Sequence, residues 1–246
     1  MYVWKIVENN RKGKAHMVPT VCVNTYNRGN SEPLVHQLSQ HLEPTQIIVV
    51  TGGSRVTSVR MTHTHCQVSV RHNSVDFTSH IAIVEHRKRI EKCIKRPLRS
   101  FLYVHDTCSV RPHFFTWLVT HYSDETAKLI SARFLKYSCN LGIYNVDELC
   151  AIQGFLTGLK STTVTTTEAN ACKGMSIIFE DIIFDHLGTT RNLGTKWRFE
   201  GYSRLRVKLY FPVIGLLKYQ ANGFWCPWSW WRSLQYRRRA GMCPLG

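Results

Sequence analysis

The feature that most constrains the fold is a series of short, β-branched apolar segments separated by stretches of helix length. Four segments have the length and character of buried strands, at residues 19–25, 45–51, 67–71 and 100–105. Strands that alternate with helices pair in parallel through right-handed crossovers. The sequence therefore predicts an α/β fold with a mostly parallel sheet flanked by helices.

The stretches between these segments have helical patterns. After Ser31, the predicted N-cap, leucine recurs at every fourth position, at residues 34, 38 and 42. A second amphipathic helix is predicted over 79–95, ending before Pro97. Two more helices are predicted, over 126–136 and 146–156, whereas the polar run 161–167 is compatible with a loop or an edge strand.

Composition indicates a globular protein that buries a core, with 43% apolar residues in a chain of 246. The longest near-apolar run, 211–217, is far shorter than the roughly 18 residues that cross a bilayer. Residues 1–14 lack the apolar block of a secretory signal. Nine cysteines, an odd number without a Cys-x-x-Cys pair, favour reduced thiols. We therefore expect a cytoplasmic protein, soluble or peripheral at a membrane.

Positive charge is concentrated in the C-terminal part of the chain. Residues 186–246 contain eleven Lys and Arg against one acid, Glu200, which gives +10 of the total net charge of +16. The same part is rich in tryptophan, with a basic cluster at 237–239. In order of preference, this composition is compatible with tryptophans packed in a core, contact with an anionic membrane surface, or binding of single-stranded nucleic acid. A solvated basic face without a specific partner is a further alternative.

Four short motifs coincide with the ends of the predicted strands. They are Pro19-Thr-Val-Cys-Val-Asn-Thr-Tyr-Asn-Arg28, Gln46-Ile-Ile-Val-Val-Thr-Gly-Gly-Ser54, Val68-Ser-Val-Arg-His-Asn73 and Phe101-Leu-Tyr-Val-His-Asp106. In their order, the motifs resemble those of nucleotide-sugar glycosyltransferases of the GT-A type, in particular the large inverting family 2. The resemblance covers roughly residues 18–187. It implies a Rossmann-like GT-A domain at 1–187, followed by a basic, aromatic-rich extension at 188–246.

By this resemblance, the loops at the strand ends bind a nucleotide diphosphate sugar. The turn of Thr25, Tyr26, Asn27 and Arg28 is implied to contact the nucleotide, and the Arg28 guanidinium suits a diphosphate. Thr51 stands where the family has an acid that bonds to the nucleobase, and its hydroxyl is the substitute. Loops at the carboxyl ends of parallel strands converge on one crevice, where ligands of open sheets bind. A plain turn with a solvated arginine is the alternative.

The segment that contains His105 and Asp106 stands where the family carries its Asp-x-Asp metal motif. Mn²⁺ or Mg²⁺ bridging two phosphates prefers hard oxygen ligands, and here only Asp106 is acidic. The resemblance implies that Asp106 is the metal ligand and that both residues face the diphosphate. Either Asp106 holds the cation with phosphate oxygens and water, or the cation is absent and basic residues such as Arg111 partly replace it. Alternatively, Asp106 only caps the turn after a buried strand.

Glu180 and Asp181 interrupt an apolar run at residues 175–184. Acids in such a run need an explanation, because a buried charge is costly unless it is paired or functional. In inverting relatives a Glu-Asp pair at a helix start serves the acceptor, which implies Asp181 as the general base and Glu180 as its support. The same acids also stabilise a helix N-terminus without catalysis. Tyr144 lies where relatives build the acceptor pocket, and a core position explains it equally well.

The resemblance of these motifs to the family implies an enzyme that transfers a sugar from a nucleotide diphosphate donor to a hydroxyl of a glycan or other acceptor, with inversion. The alternative is a non-catalytic basic protein of the same fold that contacts nucleic acid or an anionic membrane surface. The incomplete metal motif favours the alternative, whereas the presence of Asp106, Glu180 and Asp181 favours the enzyme. A zinc site at 63–66 is not favoured, because the ligands there lack a second cluster at zinc spacing.

Overall fold

The computed structural model describes residues 19–25, 28–122, 128–130, 141–160, 182–188, 198–202 and 206–221. These residues form eleven strands. They are β1 (Val21–Thr25), β2 (Ile47–Thr51), β3 (Ser58–Met61), β4 (Cys66–Ser69), β5 (Ser100–His105), β6 (Cys108–Val110), β7 (Lys128–Ile130), β8 (Leu141–Asn145), β9 (Arg198–Tyr202), β10 (Arg206–Phe211) and β11 (Leu216–Ala221). The four strands predicted from the sequence correspond to β1, β2, β4 and β5, and all four are confirmed.

The main sheet has the strand order β3-β4-β2-β1-β5-β8-β7 among the described residues. Its centre is parallel, since β4, β2, β1 and β5 run in one direction. The strands β3, β8 and β7 pair antiparallel at the two sides. The fold is thus α/β with a mixed central sheet that has a parallel core, compatible with a Rossmann-like architecture.

Both faces of this sheet are buried, which explains why its strands are nearly continuous apolar runs. Along β1, Val21 and Val23 pack into one core cluster, while Cys22 packs into the cluster on the opposite face. The same alternation divides Val49 from Ile48 in β2. The period of two follows from the pleat of the strand, and each face requires its own layer of helices.

A second sheet forms beside the first, with the order β6-β11-β10-β9 among the described residues. Its strands are antiparallel, and β6 pairs with β11 from Val110 and Leu216 to Cys108 and Lys218. Phe211, Ile214 and Leu216 are buried in the same core cluster as β1. Residues 206–221, which the sequence analysis placed in the extension, are therefore hydrogen bonded to the segment that directly follows β5.

Helix α1 (Arg28–Ser39) covers one face of the sheet, where Leu34, Leu38 and the following Leu42 are buried as predicted. The predicted N-cap at Ser31 is wrong, because the helix begins at Arg28 and Ser31 is buried inside it. The connection from β1 spans only two residues, so the helix starts close to the strand end. Pro33 consequently lies in the helix interior, where it cannot donate the usual backbone hydrogen bond.

Helix α2 (Thr78–Ile94) covers the opposite face. Its predicted apolar side is confirmed, since Ile81, Val84, Ile90 and Ile94 are buried. The helix ends as Lys95 takes a left-handed conformation with φ 57°, a common way to terminate an α-helix. Helix α3 (His113–His121) packs with Phe114, Trp117 and Leu118 into the cluster that contains α1.

The helix predicted over 126–136 is wrong at residues 128–130, which form the strand β7. The backbone of β7 pairs with β8, and this tertiary pairing overrides the local helical pattern. The helix predicted over 146–156 is confirmed as two short helices, α4 (Val146–Ala151) and α5 (Gln153–Gly158). Asn145 caps α4, since its Oδ1 accepts a hydrogen bond of 3.0 Å from the Glu148 backbone N–H.

Helix α6 (Ile182–His186) adds Ile183 and Phe184 to the α2 side of the core. No helix in the described part of the chain is both long and apolar enough to cross a membrane. The cysteines in that part, at positions 22, 66, 93, 108 and 150, are all free thiols.

We predict that two buried histidines make the fold sensitive to acid. His80 is fully buried and its ring lies 4.3 Å from that of Tyr144, while His72 is 7% exposed. Burial lowers the pKa of His80 to about 3 and that of His72 to about 4, from an ordinary value of 6.5. At a pH between the lowered pKa of each histidine and 6.5, the unfolded chain binds more protons than the folded one. The free energy of unfolding therefore falls as pH falls below about 6.5.

The variant His80→Phe keeps an aromatic ring but removes the imidazole that binds a proton in the unfolded chain. Its free energy of unfolding, from denaturant titrations across pH 4 to 6, should fall less steeply by about 1.4 kcal/mol per pH unit. Above pH 7.5 the two slopes should coincide, because neither histidine binds a proton there in either state. Equal slopes in the acid range would show that His80 does not cause the sensitivity.

Candidate functional site

The candidate site lies at the carboxyl edge of the parallel strands. From β1 the chain builds the sheet first through β2 and β4 on one side, and then returns to add β5 on the other side. The boundary between β1 and β5 is therefore the point where the strand order reverses. In open α/β sheets, ligands bind in the crevice beyond the strand ends at such a point.

A side-chain hydrogen bond joins the two strand ends at this boundary. Thr25, the last residue of β1, donates its hydroxyl to Oδ2 of Asp106, which follows β5, over 2.7 Å. The backbone N–H of Asp106 donates to the Asn24 carbonyl over 3.1 Å, so main chain and side chain are both fixed. Two residues that the sequence analysis assigned to one site are thus brought into contact.

The carboxylate of Asp106 is in an unfavourable electrostatic environment. Burial raises the pKa of Asp106 above its ordinary value, and the nearby charge of Asp76 raises it further. The Thr25 hydrogen bond acts in the opposite direction, because it stabilises the ionised form. A cation at this position would relieve the repulsion between the two carboxylates.

Asp76 is a site residue that the sequence analysis missed. Its Oδ1 lies 3.5 Å from Nδ1 of His105, and both side chains are mostly buried. His105 thus contacts a carboxylate from the loop that precedes α2. One signal in the sequence marks Asp76, since it is the first acid after Glu43, but its position at β5 depends on tertiary structure.

Two side chains from the central strands hold the turn that carries Asp76. The Tyr103 hydroxyl donates to the Asp76 carbonyl and the Asn24 amide donates to the Val75 carbonyl, both over 2.9 Å. Burial raises the pKa of Tyr103 well above its ordinary value, so the hydroxyl keeps the proton that it donates. Val75 has φ 50°, a left-handed conformation that is rare for a β-branched residue. The turn is therefore held in place by the ends of β1 and β5.

At the end of β2, Thr51 takes part in a hydrogen bond within the sheet. Its side chain is buried, and its hydroxyl accepts a hydrogen bond of 3.0 Å from the Gln67 amide. Beyond it, the Gly52 N–H donates to the Thr25 carbonyl over 3.1 Å. A Cβ on Gly52 would lie 3.0 Å from the Thr78 side chain, and Gly53 has φ 69°. The two glycines thus allow the loop to turn tightly against the end of β1.

The other predicted residues are placed only in part. Arg28 is the first residue of α1, three positions after Thr25. Tyr26, Asn27, Glu180 and Asp181 lie outside the described residues. Helix α6 begins at the residue that follows Asp181.

Tyr144 is a core residue. It is fully buried, and its ring lies 4.6 Å from that of Phe184 and 5.6 Å from that of Phe101. Of the two explanations that the sequence allowed, the structure supports core packing.

Metal-binding groups are sparse in the described ranges. No three His, Cys, Asp or Glu side chains gather there in a way that could hold a metal ion. At 63–66, Cys66 is buried in the core, and His65 is hydrogen bonded to Gln67 over 3.0 Å. At the strand ends, Asp106 and Asp76 provide hard oxygen donors from separate loops.

No protein-family model matches the chain, and no curated protein matches it with significant similarity.

We predict that the pKa of Asp106 moves in opposite directions when its two neighbours are changed. Asp76→Asn removes a like charge and should lower this pKa, whereas Thr25→Val removes a hydrogen bond to the ionised form and should raise it. Carboxyl ¹³C NMR titration of aspartate-labelled protein measures both shifts. Thr25→Ser retains the hydroxyl and serves as the control, with a pKa close to that of the wild type. A shift in the same direction for both variants would contradict this electrostatic arrangement.

Proposed function

We propose that the protein is a glycosyltransferase that moves a sugar from a nucleotide diphosphate donor to an acceptor hydroxyl. The observation that carries the proposal is the hydrogen bond between Thr25 and Asp106 across the β1–β5 boundary. It fixes a carboxylate at the position where open α/β sheets bind nucleotides. The proposed donor site is therefore the crevice beyond these two strand ends.

The arrangement of the four motifs gives further support. Each of the four segments that resemble the GT-A family contains a strand of the parallel centre together with the loop at its carboxyl end. Their functional positions therefore share one edge of the sheet. In addition, α1 begins shortly after Thr25 and has no acid in its first turn, so its positive dipole end suits a phosphate.

The oxygen donors at the strand ends fit a divalent cation that arrives with the donor. Mg²⁺ and similar ions are commonly held by one or two carboxylates, with substrate phosphates and water as the other ligands. Asp106 is the proposed ligand, and Asp76 is the second carboxylate within its electrostatic range. When bound, the cation neutralises charge on the leaving diphosphate.

The remaining steps fall to residues of the chain. Thr25 orients the Asp106 carboxylate, and Asp76 orients His105 beside it. The acceptor oxygen attacks the anomeric carbon, the bond from that carbon to the diphosphate oxygen breaks, and the nucleoside diphosphate leaves. Asp181, assigned by the family resemblance, takes the proton of the acceptor hydroxyl. Attack opposite the leaving group inverts the anomeric carbon.

The first test is the thermal midpoint of unfolding with a panel of nucleoside diphosphates, with and without Mn²⁺. A ligand that binds only the folded state raises the midpoint, and at 100 times its dissociation constant it contributes about 2.7 kcal/mol. We expect a shift with at least one nucleotide that is larger in the presence of Mn²⁺. No shift with any nucleotide would contradict the proposal and leave the non-catalytic alternative.

Asp106→Asn tests the metal assignment directly. This variant should abolish the Mn²⁺-dependent part of the shift, because an amide is a weaker ligand than a carboxylate. Asp147→Asn is the matched control: its side chain is 71% exposed, and it follows β8 at the opposite edge of the parallel strands. An equal loss of the shift in both variants would indicate a general effect on charge or stability.

Asp181→Asn tests the chemical step. Transfer or hydrolysis of the nucleotide sugar that responds best should fall by at least about 100-fold, the usual contribution of a positioned base. The nucleotide-induced thermal shift should persist. Full activity in Asp181→Asn would show that another group is the base.

A further inference from the structure

The stretch from Pro44 to Val75 contains no acidic residue. It includes three arginines, Arg55, Arg60 and Arg71, and all three are exposed. Their side chains make no hydrogen bond or ion pair within the described part of the chain. The positive charge of this stretch is therefore not neutralised by the residues described around it.

Two basic side chains elsewhere in the fold have acidic partners. Arg87 in α2 is paired with Glu91 over 3.1 Å and also with Asp147. Lys160 pairs with Glu85 over 2.7 Å. Compared with these, the three arginines of 44–75 are available to an external anion.

Backbone pairing gathers the three arginines at one side of the sheet. The N–H groups of Gly53 and Ser54 donate to the carbonyls of His72 and Val70, over 3.0 and 2.9 Å. These bonds bring the loop that contains Arg55 next to the loop that contains Arg71. Arg60 lies in β3, which has the outermost position in the sheet. We name the surface formed by residues 55–61 and 71 the edge surface.

Two apolar side chains of the same stretch of chain are also exposed. Val56 is 69% exposed and Met61 is 38% exposed, and each directly follows one of the arginines. Only two other large apolar side chains in the described ranges are comparably exposed, Val119 and Val213. The stretch 52–75 contains no Phe, Tyr or Trp on which a base could stack. Unpaired arginines next to exposed aliphatic side chains suit the headgroup layer of an anionic bilayer better than a nucleic acid.

We propose that the edge surface binds an anionic lipid surface, with Arg55, Arg60 and Arg71 on the headgroups and with Val56 and Met61 at the acyl boundary. The inference does not depend on the proposed enzymatic function. It places the membrane contact on the sheet edge, whereas the sequence analysis considered only the C-terminal tail. The loop that contains Arg55 follows β2, which neighbours β1, so the contact lies beside the crevice at Thr25 and Asp106.

The test measures binding of the full chain to vesicles of phosphatidylcholine with and without phosphatidylserine, by co-sedimentation. We expect binding only with phosphatidylserine, and weaker binding as salt screens the charges. The variant Arg55→Gln/Arg60→Gln/Arg71→Gln should bind on the order of 100-fold more weakly, since each arginine near such a surface contributes about fivefold. The control Lys88→Gln/Arg89→Gln/Lys92→Gln removes the same charge from exposed positions of α2 and should bind like the wild type.

A second pair of variants tests the apolar contribution. Val56→Ser/Met61→Ser should weaken vesicle binding, whereas Val119→Ser/Val213→Ser, which changes equally exposed residues elsewhere, should not. Circular dichroism and the thermal midpoint of unfolding show that each variant remains folded. If the arginine variant binds vesicles like the wild type, or if it loses affinity for a single-stranded oligonucleotide but not for vesicles, the proposal is wrong.

Discussion

The parallel pairing of β1 with both β2 and β5 is the constraint on which the structure depends. All five residues of β1 are buried, and both of its edges are hydrogen bonded, so the strand has no freedom to shift in register. A shift of one residue would exchange Val21 and Val23 with Cys22 between the two core clusters. The register of β1 therefore determines the position of Thr25 at the end of β1 relative to Asp106, which follows β5.

The polar groups at the strand ends are a direct consequence of this pairing. Asn24 and Tyr103 emerge from neighbouring strands and together hold the turn of Asp76, while Thr25 holds Asp106. Asp76 thereby contacts His105, and Asp106 is hydrogen bonded to Thr25, in a protein with a net charge of +16. The arginines of the edge surface lie on the β3–β4 side of β2, whereas Asp106 lies on the β5 side. The basic and acidic groups are therefore separated along the sheet.

The sequence predicted the elements whose signal is local. Buried parallel strands are apolar on both faces, so β1, β2, β4 and β5 are recognisable without their neighbours. The leucine repeat of α1 and the apolar side of α2 are similarly visible, because one face of each helix packs on the sheet. Local signals failed where pairing decided the conformation. Residues 128–130 form a strand because β8 lies beside them, and α1 begins before Ser31 because its connection to β1 is short.

For the candidate site, the sequence by itself determined which chemical groups stand at the strand ends, and the family resemblance predicted Thr25, His105 and Asp106 as site residues. Only the tertiary structure decided which of these groups meet. The contact of Thr25 with Asp106 joins positions 81 residues apart, and Asp76 reaches His105 from a loop that follows a different strand. The tertiary structure also shows that the Thr51 hydroxyl accepts a hydrogen bond from Gln67 within the sheet. The physical reason is that side-chain type is encoded locally, whereas distance and burial arise from the register and order of strands brought together across the chain.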